Sequence, residues 1–163
     1  LLYMRQTHTI PPFCEGKPKI LILGSFPSVK SRETGFFYGH KQNRFWRVVA
    51  AVFEDETPQT LTEKKEFLKR NRIALWDVIE SCDIEGSSDA SVKNVTVNDI
   101  KGLLDKFPSV EKIFVNGKTA QKLYDKYILP SLGISAEALP STSPANAAKT
   151  EAMLVSEWSK IRF

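Results

Sequence analysis

Apolar residues along this chain follow two rhythms. The first is a short continuous run closed by turn residues, the pattern of a buried strand in a parallel sheet. "KILILG" (19–24), stopped by glycine, is such a run. So are "IALW" (73–76), ended by Asp77, and "KIFV" (112–115), ended by Asn116-Gly117. "ISAEAL" (134–139) is a weaker fourth run and ends at Pro140. The second rhythm is the 3.6-residue period of a helix packed on one face. In "NRFWRVVAAVF" (43–53) it brings Phe45, Val48, Val49, Val52 and Phe53 to one side, with Asn43 placed to cap the helix. "TLTEKKEFLKRN" (60–71) opens with Thr60-x-x-Glu63, a capping box, and predicts a second helix. Further helices are predicted over 96–107, opening at Thr96-x-x-Asp99, over 117–128 and over 146–161.

Strand and helix therefore alternate. That order specifies a parallel sheet covered by helices on both faces, a three-layer α/β/α fold with four strands. Ligands of such sheets bind beyond the carboxyl ends of the strands. "GSFPS" (24–28), Asp77, Asn116 and "PSTSPAN" (140–146) each follow a predicted strand, so all four fall on that edge. "YGHKQNRFW" (38–46) joins the first strand to its helix and belongs there too. With 163 residues and no internal repeat, a single domain over 1–163 is expected, residues 1–18 being an N-terminal extension packed on it.

Apolar residues make up 42% and charged residues 26%, the balance of a globular chain without a membrane span. "LLYM" at the start is too short for a signal-peptide core, so a cytoplasmic location is expected, or a nuclear one in a eukaryote. Two cysteines (Cys14, Cys82) and two histidines (His8, His40) are too few for an iron–sulfur cluster and make a zinc site improbable; no disulfide is expected. The formal charge is +4. Lys30, Arg32, Lys41, Arg44 and Arg47 face only Glu33 between residues 30 and 47, so this stretch alone carries the chain's net charge. Charge by itself supports phosphate contacts and a solvated basic face equally.

No phosphate-binding glycine loop, dinucleotide fingerprint or Gly-x-Ser-x-Gly elbow is present, and neither histidine has a triad setting. The predicted edge holds amides, carboxylates, hydroxyls and aromatics beside positive charge. That set suits a planar, neutral, hydrogen-bonding ring attached to a polyanion, as a flipped nucleobase is.

Three segments carry a resemblance: "LILGSFPSVKSRETGFFYGHKQNRFW" (21–46), "LWDVIESCDIEGSSD" (75–89) and "LPSTSPANA" (139–147), with support from "VNGKTA" (115–120). The chain resembles the uracil-DNA glycosylase superfamily, and within it the hypoxanthine-DNA (deoxyinosine) glycosylases. The resemblance implies a monofunctional glycosylase of base-excision repair, a hydrolase of the N-glycosidic bond of deaminated bases in double-stranded DNA, hypoxanthine first among them. It implies no cofactor and no metal, and a monomer is expected. The catalytic Asn or Asp of most of the superfamily falls at Phe26, which cannot activate water. The hypoxanthine-type family uses instead the asparagine found here as Asn43. Its amide is expected to hold a water near C1′ and to stabilise positive charge through its carbonyl oxygen.

The same resemblance puts a base-stacking aromatic at Tyr38 and an edge-reading group at Asp77. Phe26, His40 and Asn116 complete the base-binding set. "LPSTSPAN" corresponds to the loop that enters the minor groove, and Leu139 stands where relatives carry a polar leaving-group residue. DNA contacts are expected from Lys30, Arg32, Lys41, Arg44, Arg47, Ser141, Thr142, Ser143 and Asn146. Plainer roles stay open for several of these. Asn43 suits a helix cap, Tyr38 a rim aromatic, His40 a loop brace, Asp77 and Asn116 turns after strands, and residues 141–143 a Ser/Thr turn. Uracil excision, lesion binding without cleavage and nucleoside processing are the alternative functions.

Overall fold

The computed structural model describes residues 4–7, 10–84 and 92–162. His8 and residues 85–89 of the second quoted segment lie outside them. The elements in chain order are β1 (Met4–Thr7), β2 (Ile20–Gly24), α1 (Val29–Thr34), α2 (Phe45–Val52), α3 (Leu61–Arg70), β3 (Ile73–Asp77), β4 (Ile79–Ile84) and β5 (Lys93–Val97). They continue with α4 (Ile100–Lys106), β6 (Lys112–Asn116), α5 (Lys118–Tyr127), α6 (Leu129–Leu132), β7 (Glu137–Leu139), α7 (Glu151–Trp158) and a closing 3-10 turn (Ser159–Ile161).

The main sheet has the order β3-β2-β6-β7 and every neighbouring pair is parallel. Its strands are apolar on both faces because both are covered. Along β2, Ile20 and Ile22 enter one core with Phe45, Phe67, Leu68 and Trp158 from α2, α3 and α7. Leu21 and Leu23 enter the other, with Ile100, Leu103, Ala120 and Tyr124 from α4 and α5. Alternation along one strand thus fills both sides, and the three-layer α/β/α arrangement follows.

A second sheet, antiparallel with order β1-β4-β5, is not anticipated by the sequence pattern. Residues 96–97, expected to start a helix, instead end β5, where Thr96 pairs with Ser81 and Val97 with Ile79. The β-branched alternation of "KNVTV" suits a strand, and α4 begins only after Asp99, whose side chain caps Gly102 N–H. The helix expected over 146–161 likewise begins late, at Glu151 under a Thr150 cap. The fourth strand is limited to Glu137–Leu139. The N-terminal segment supplies β1 to the second sheet, and Ile10 and Phe13 to the first core.

The two sheets meet where β3 passes into β4. β3 ends at Asp77 and β4 starts at Ile79, and Asn98 Nδ2 donates to the carbonyls of both, at 2.9 and 3.2 Å. This clamp fixes the backbone on either side of Val78, and with it the place where the Asp77 side chain leaves the sheet.

Candidate active site

A cavity of about 380 Å³ opens at the carboxyl ends of β2, β3 and β6. Gly24, Ser25, Phe26, Pro27, Ser28 and Ser31 form one wall; Phe37, Tyr38, His40 and Asn43 a second; Asp77, Asn116 and residues 141–144 the rest. Phe26, Tyr38, His40, Asn43, Asp77 and Asn116, expected together from sequence, are therefore in one cavity.

Asp77 is only 4% exposed. Its neighbour across the sheet is Gly24, its register partner. A Cβ at Gly24 would lie 2.4 Å from Asp77 Oδ1 and 3.4 Å from Tyr38 Oη, so the glycine is what lets these two polar groups approach the end of β2. Tyr38 has a backbone φ of 52°, a left-handed conformation uncommon for a bulky residue. Three contacts hold it. Its ring stacks on Phe45 with centroids 4.0 Å apart, its carbonyl accepts from Trp46 Nε1 at 3.2 Å, and its hydroxyl accepts from Asn116 Nδ2 at 3.3 Å. Burial and the nearby Asp77 charge push the hydroxyl pKa up, against the Asn116 hydrogen bond, so the group stays protonated.

The amides form a chain with a defined direction. Thr142 N–H donates to Asn116 Oδ1 at 3.1 Å, which identifies the oxygen end of that amide. Asn116 Nδ2 then donates to Thr142 Oγ1 at 3.0 Å, and Thr142 Oγ1 donates to Asn43 Oδ1 at 2.8 Å. Phe45 N–H donates to the same Asn43 oxygen at 2.9 Å. A backbone N–H can only donate, so this contact fixes the Asn43 amide as well. Asn43 thus braces the start of α2 while lining the cavity. Two protein donors occupy the carbonyl oxygen expected to serve the reaction.

Arg44 is turned inward. Its Nη atoms donate to the carbonyls of Ser143, Asn146 and Lys149, its Nε lies 3.5 Å from the Thr142 carbonyl, and its backbone N–H donates there too, at 3.0 Å. This corrects its expected place on DNA: the guanidinium folds the 140–149 loop. Ser141, Ser143 and Asn146 tighten the same loop through bonds to Ser143 N, Ala145 N and the Ser141 carbonyl. Thr142, expected to face DNA, is fully buried beneath it. Leu139, expected at a leaving-group position, is a core residue of β7 and is not part of the cavity wall.

Of the other basic residues, Lys30 and Lys41 are exposed, and Arg47 is exposed but paired with Glu151 at 2.7 Å. Arg32 is half-buried, donates to the Pro27 carbonyl and lies 5.1 Å from the Phe26 ring centroid. His40 is exposed and braces its loop, its Nδ1 accepting from Gln42 N–H. Among the described residues no three His, Cys, Asp or Glu side chains converge as a metal site requires.

The family model described as "Uracil DNA glycosylase superfamily" matches residues 11–162, nearly the whole chain. The chain belongs to the uracil DNA glycosylase superfamily. Relatives within the superfamily include a protein of Methanosarcina acetivorans named hypoxanthine DNA glycosylase. It is 37% identical over 137 residues, which cover 83% of this chain and 85% of that protein. A protein of the same name from Methanosarcina barkeri is 36% identical over the same shares. The solution NMR structure of a candidate uracil DNA glycosylase from M. acetivorans superposes with a TM-score of 0.82 at 33% identity, covering 97% of this chain and 96% of that one. Against this superfamily background, sequence reasoning missed Gly24 and the inward roles of Arg44 and Thr142. A glycine closing a buried parallel strand beside a strand that ends in aspartate is the signal that could have found the first. Nothing in the sequence marks the other two.

Proposed function

We propose that this protein is a monofunctional DNA glycosylase of base-excision repair. It hydrolyses the N-glycosidic bond of deaminated bases in duplex DNA, with hypoxanthine the preferred base. One observation carries this reading: Asn43, Tyr38 and Asp77 line one cavity in a superfamily member whose relatives are named hypoxanthine DNA glycosylases. The whole chain acts as one glycosylase domain, in the cytoplasm or, in a eukaryote, the nucleus.

Flipping a base out of the duplex costs a few kcal/mol, less when it is mispaired. A base in the cavity meets Tyr38 and Phe26 as apolar walls; stacking on an aromatic contributes about 1–3 kcal/mol per base. Asp77, buried at the end of β3, reads the base edge. An ionised carboxylate only accepts, so it takes the N1–H of hypoxanthine and repels the bare N1 lone pair of adenine. Normal adenine is thereby spared. Asn43 stands at the reacting bond, and no lysine among the described residues lines the cavity to form a Schiff base, so strand cleavage does not accompany excision. Lys30 and Lys41, with Arg32, Arg47, Ser141, Ser143 and Asn146, contact the DNA backbone.

Uracil is the second reading, favoured by Asp77 itself, which accepts uracil N3–H equally well. The test is single-turnover excision from matched duplexes carrying hypoxanthine, uracil or xanthine, followed by alkali. Alkali-sensitive product from hypoxanthine in excess of the other two is expected. No product from any of them, with lesion-selective binding retained, would establish a lesion-binding protein instead.

A further inference from the structure

The Asn43 amide has two ends, and the structure distinguishes them. Oδ1 accepts from Phe45 N–H and Thr142 Oγ1, at 2.9 and 2.8 Å, which fills its two lone pairs. Nδ2 has no protein partner among the described residues, and Asn43 is half-buried in the cavity wall. The Thr142 hydroxyl has no freedom to donate elsewhere without loss. Asn116 Nδ2 already donates to it, and Asn116 is itself oriented by Thr142 N–H. The hydroxyl proton is thus directed at Asn43, and Asn43 presents N–H donors to whatever occupies the cavity.

Building on the glycosylase reading, we propose that Asn43 acts through Nδ2 as a hydrogen-bond donor to the departing base, and that Thr142 is the positioning residue that keeps this end of the amide facing the reaction. The C1′–N9 bond breaks with its electron pair left on the base. The water oxygen bonds to C1′ and releases one proton, and the base takes up one proton at a ring nitrogen. Base and abasic sugar leave as neutral products. The negative charge that builds on the purine before that proton arrives is what a fixed N–H stabilises, and a donor held in place is worth about 10²–10³ in rate. An amide oxygen facing C1′ would act oppositely, on the positive sugar, and that oxygen is occupied.

The roles separate by replacing the donor with an acceptor. Asn43→Asp keeps an oxygen for Phe45 and Thr142 but puts a second oxygen where Nδ2 stood. At pH 8 its excision of hypoxanthine should fall at least ~100-fold, and it should recover relative to the parental protein as pH is lowered and the introduced carboxyl regains an O–H. Thr142→Val, which removes only the hydroxyl, should slow excision about 10-fold with duplex affinity unchanged. Thr142→Ser should return most of that loss. Asn43→Asp cleaving at the parental rate at pH 8 would overturn the donor role, and a Thr142→Ser as slow as Thr142→Val would overturn the positioning role. A parental protein that releases no base refutes the glycosylase reading alone. The amide orientation is then decided by the scalar coupling across the hydrogen bond between Phe45 ¹⁵N and Asn43 ¹³Cγ, whose absence would overturn it.

Discussion

Gly24 and Asp77 are register partners at the carboxyl ends of adjacent strands, and a methyl group on Gly24 would sit 2.4 Å from Asp77 Oδ1. The missing side chain on β2 is therefore part of the carboxylate's seat. Gly24→Ala should displace Asp77, with an overpacking cost of about 1–3 kcal/mol. Chemical denaturation will measure that loss. Excision of hypoxanthine at saturating enzyme should fall at least ~10-fold, as for loss of a buried hydrogen bond. A parental rate in this variant would show that the carboxylate need not sit where it does.

On the proposed reading, Asp77→Ala removes the acceptor for the base edge. Excision of hypoxanthine should fall by ~10–100-fold, the scale of one such bond lost from a buried site, while duplex affinity barely changes. Discrimination against adenine should narrow in the same assay. If Asp77→Ala excises hypoxanthine at the parental rate, Asp77 is a structural element of the strand end.

Asn43→Ala should bind inosine-containing duplex within a few fold of the parental protein and excise at least ~100-fold more slowly. Binding by fluorescence anisotropy and single-turnover excision, measured on one preparation, separate the two effects.

The basic stretch should divide by exposure. Alanine at exposed Lys30 or Lys41 should weaken binding to all duplexes alike and make the salt dependence shallower by about one counterion each. Arg44→Ala should leave that slope alone and lower the unfolding midpoint, because its guanidinium serves loop carbonyls. A slope change for Arg44→Ala equal to that of Lys41→Ala would contradict the inward role.

Much of this was legible in the sequence, for a physical reason. Runs such as "KILILG" are short, apolar at every position from Ile20 to Leu23, and closed by glycine, which suits a buried strand, and the residues after each strand must share an edge once the sheet is parallel. Asn43, Tyr38 and Asp77 could be grouped on that basis before any coordinates. The antiparallel sheet was hidden because β5 begins with charged and polar residues and is half-exposed, so it lacks a buried run. Arg44 and Thr142 misled because their types are those of DNA contacts. Their inward direction comes from where α2 meets the 140–149 loop, about a hundred residues away in the chain, and no local pattern encodes that meeting.

Tyr38 supplies a pH test. Its hydroxyl pKa is raised above the ordinary value of 10 by burial and by Asp77. A raised folded value means that the unfolded chain ionises first. The contribution to stability is therefore complete below pH 10 and declines as the pH rises above it. Tyr38→Phe should abolish that part of the alkaline decline in stability, measured by denaturation at pH 9 to 11, and the parental excision rate should show no ionisation of Tyr38 below pH 10.

The joining of Asn43 and Arg44 to the 140–149 loop also has a consequence for biosynthesis. Both residues leave the ribosome about a hundred residues before the groups that hold them. Until that later stretch emerges and α7 docks on α2 through Trp158 and Phe45, Asn43 Oδ1 has one of its two donors and Arg44 has none of its loop carbonyls. A nascent chain bearing the strands, Tyr38 and Asp77 already has most of the cavity wall. It lacks the Thr142 donor to Asn43 and the loop that closes the rest of the wall, so the cavity is completed late in translation, after the sheet's first strands have been made.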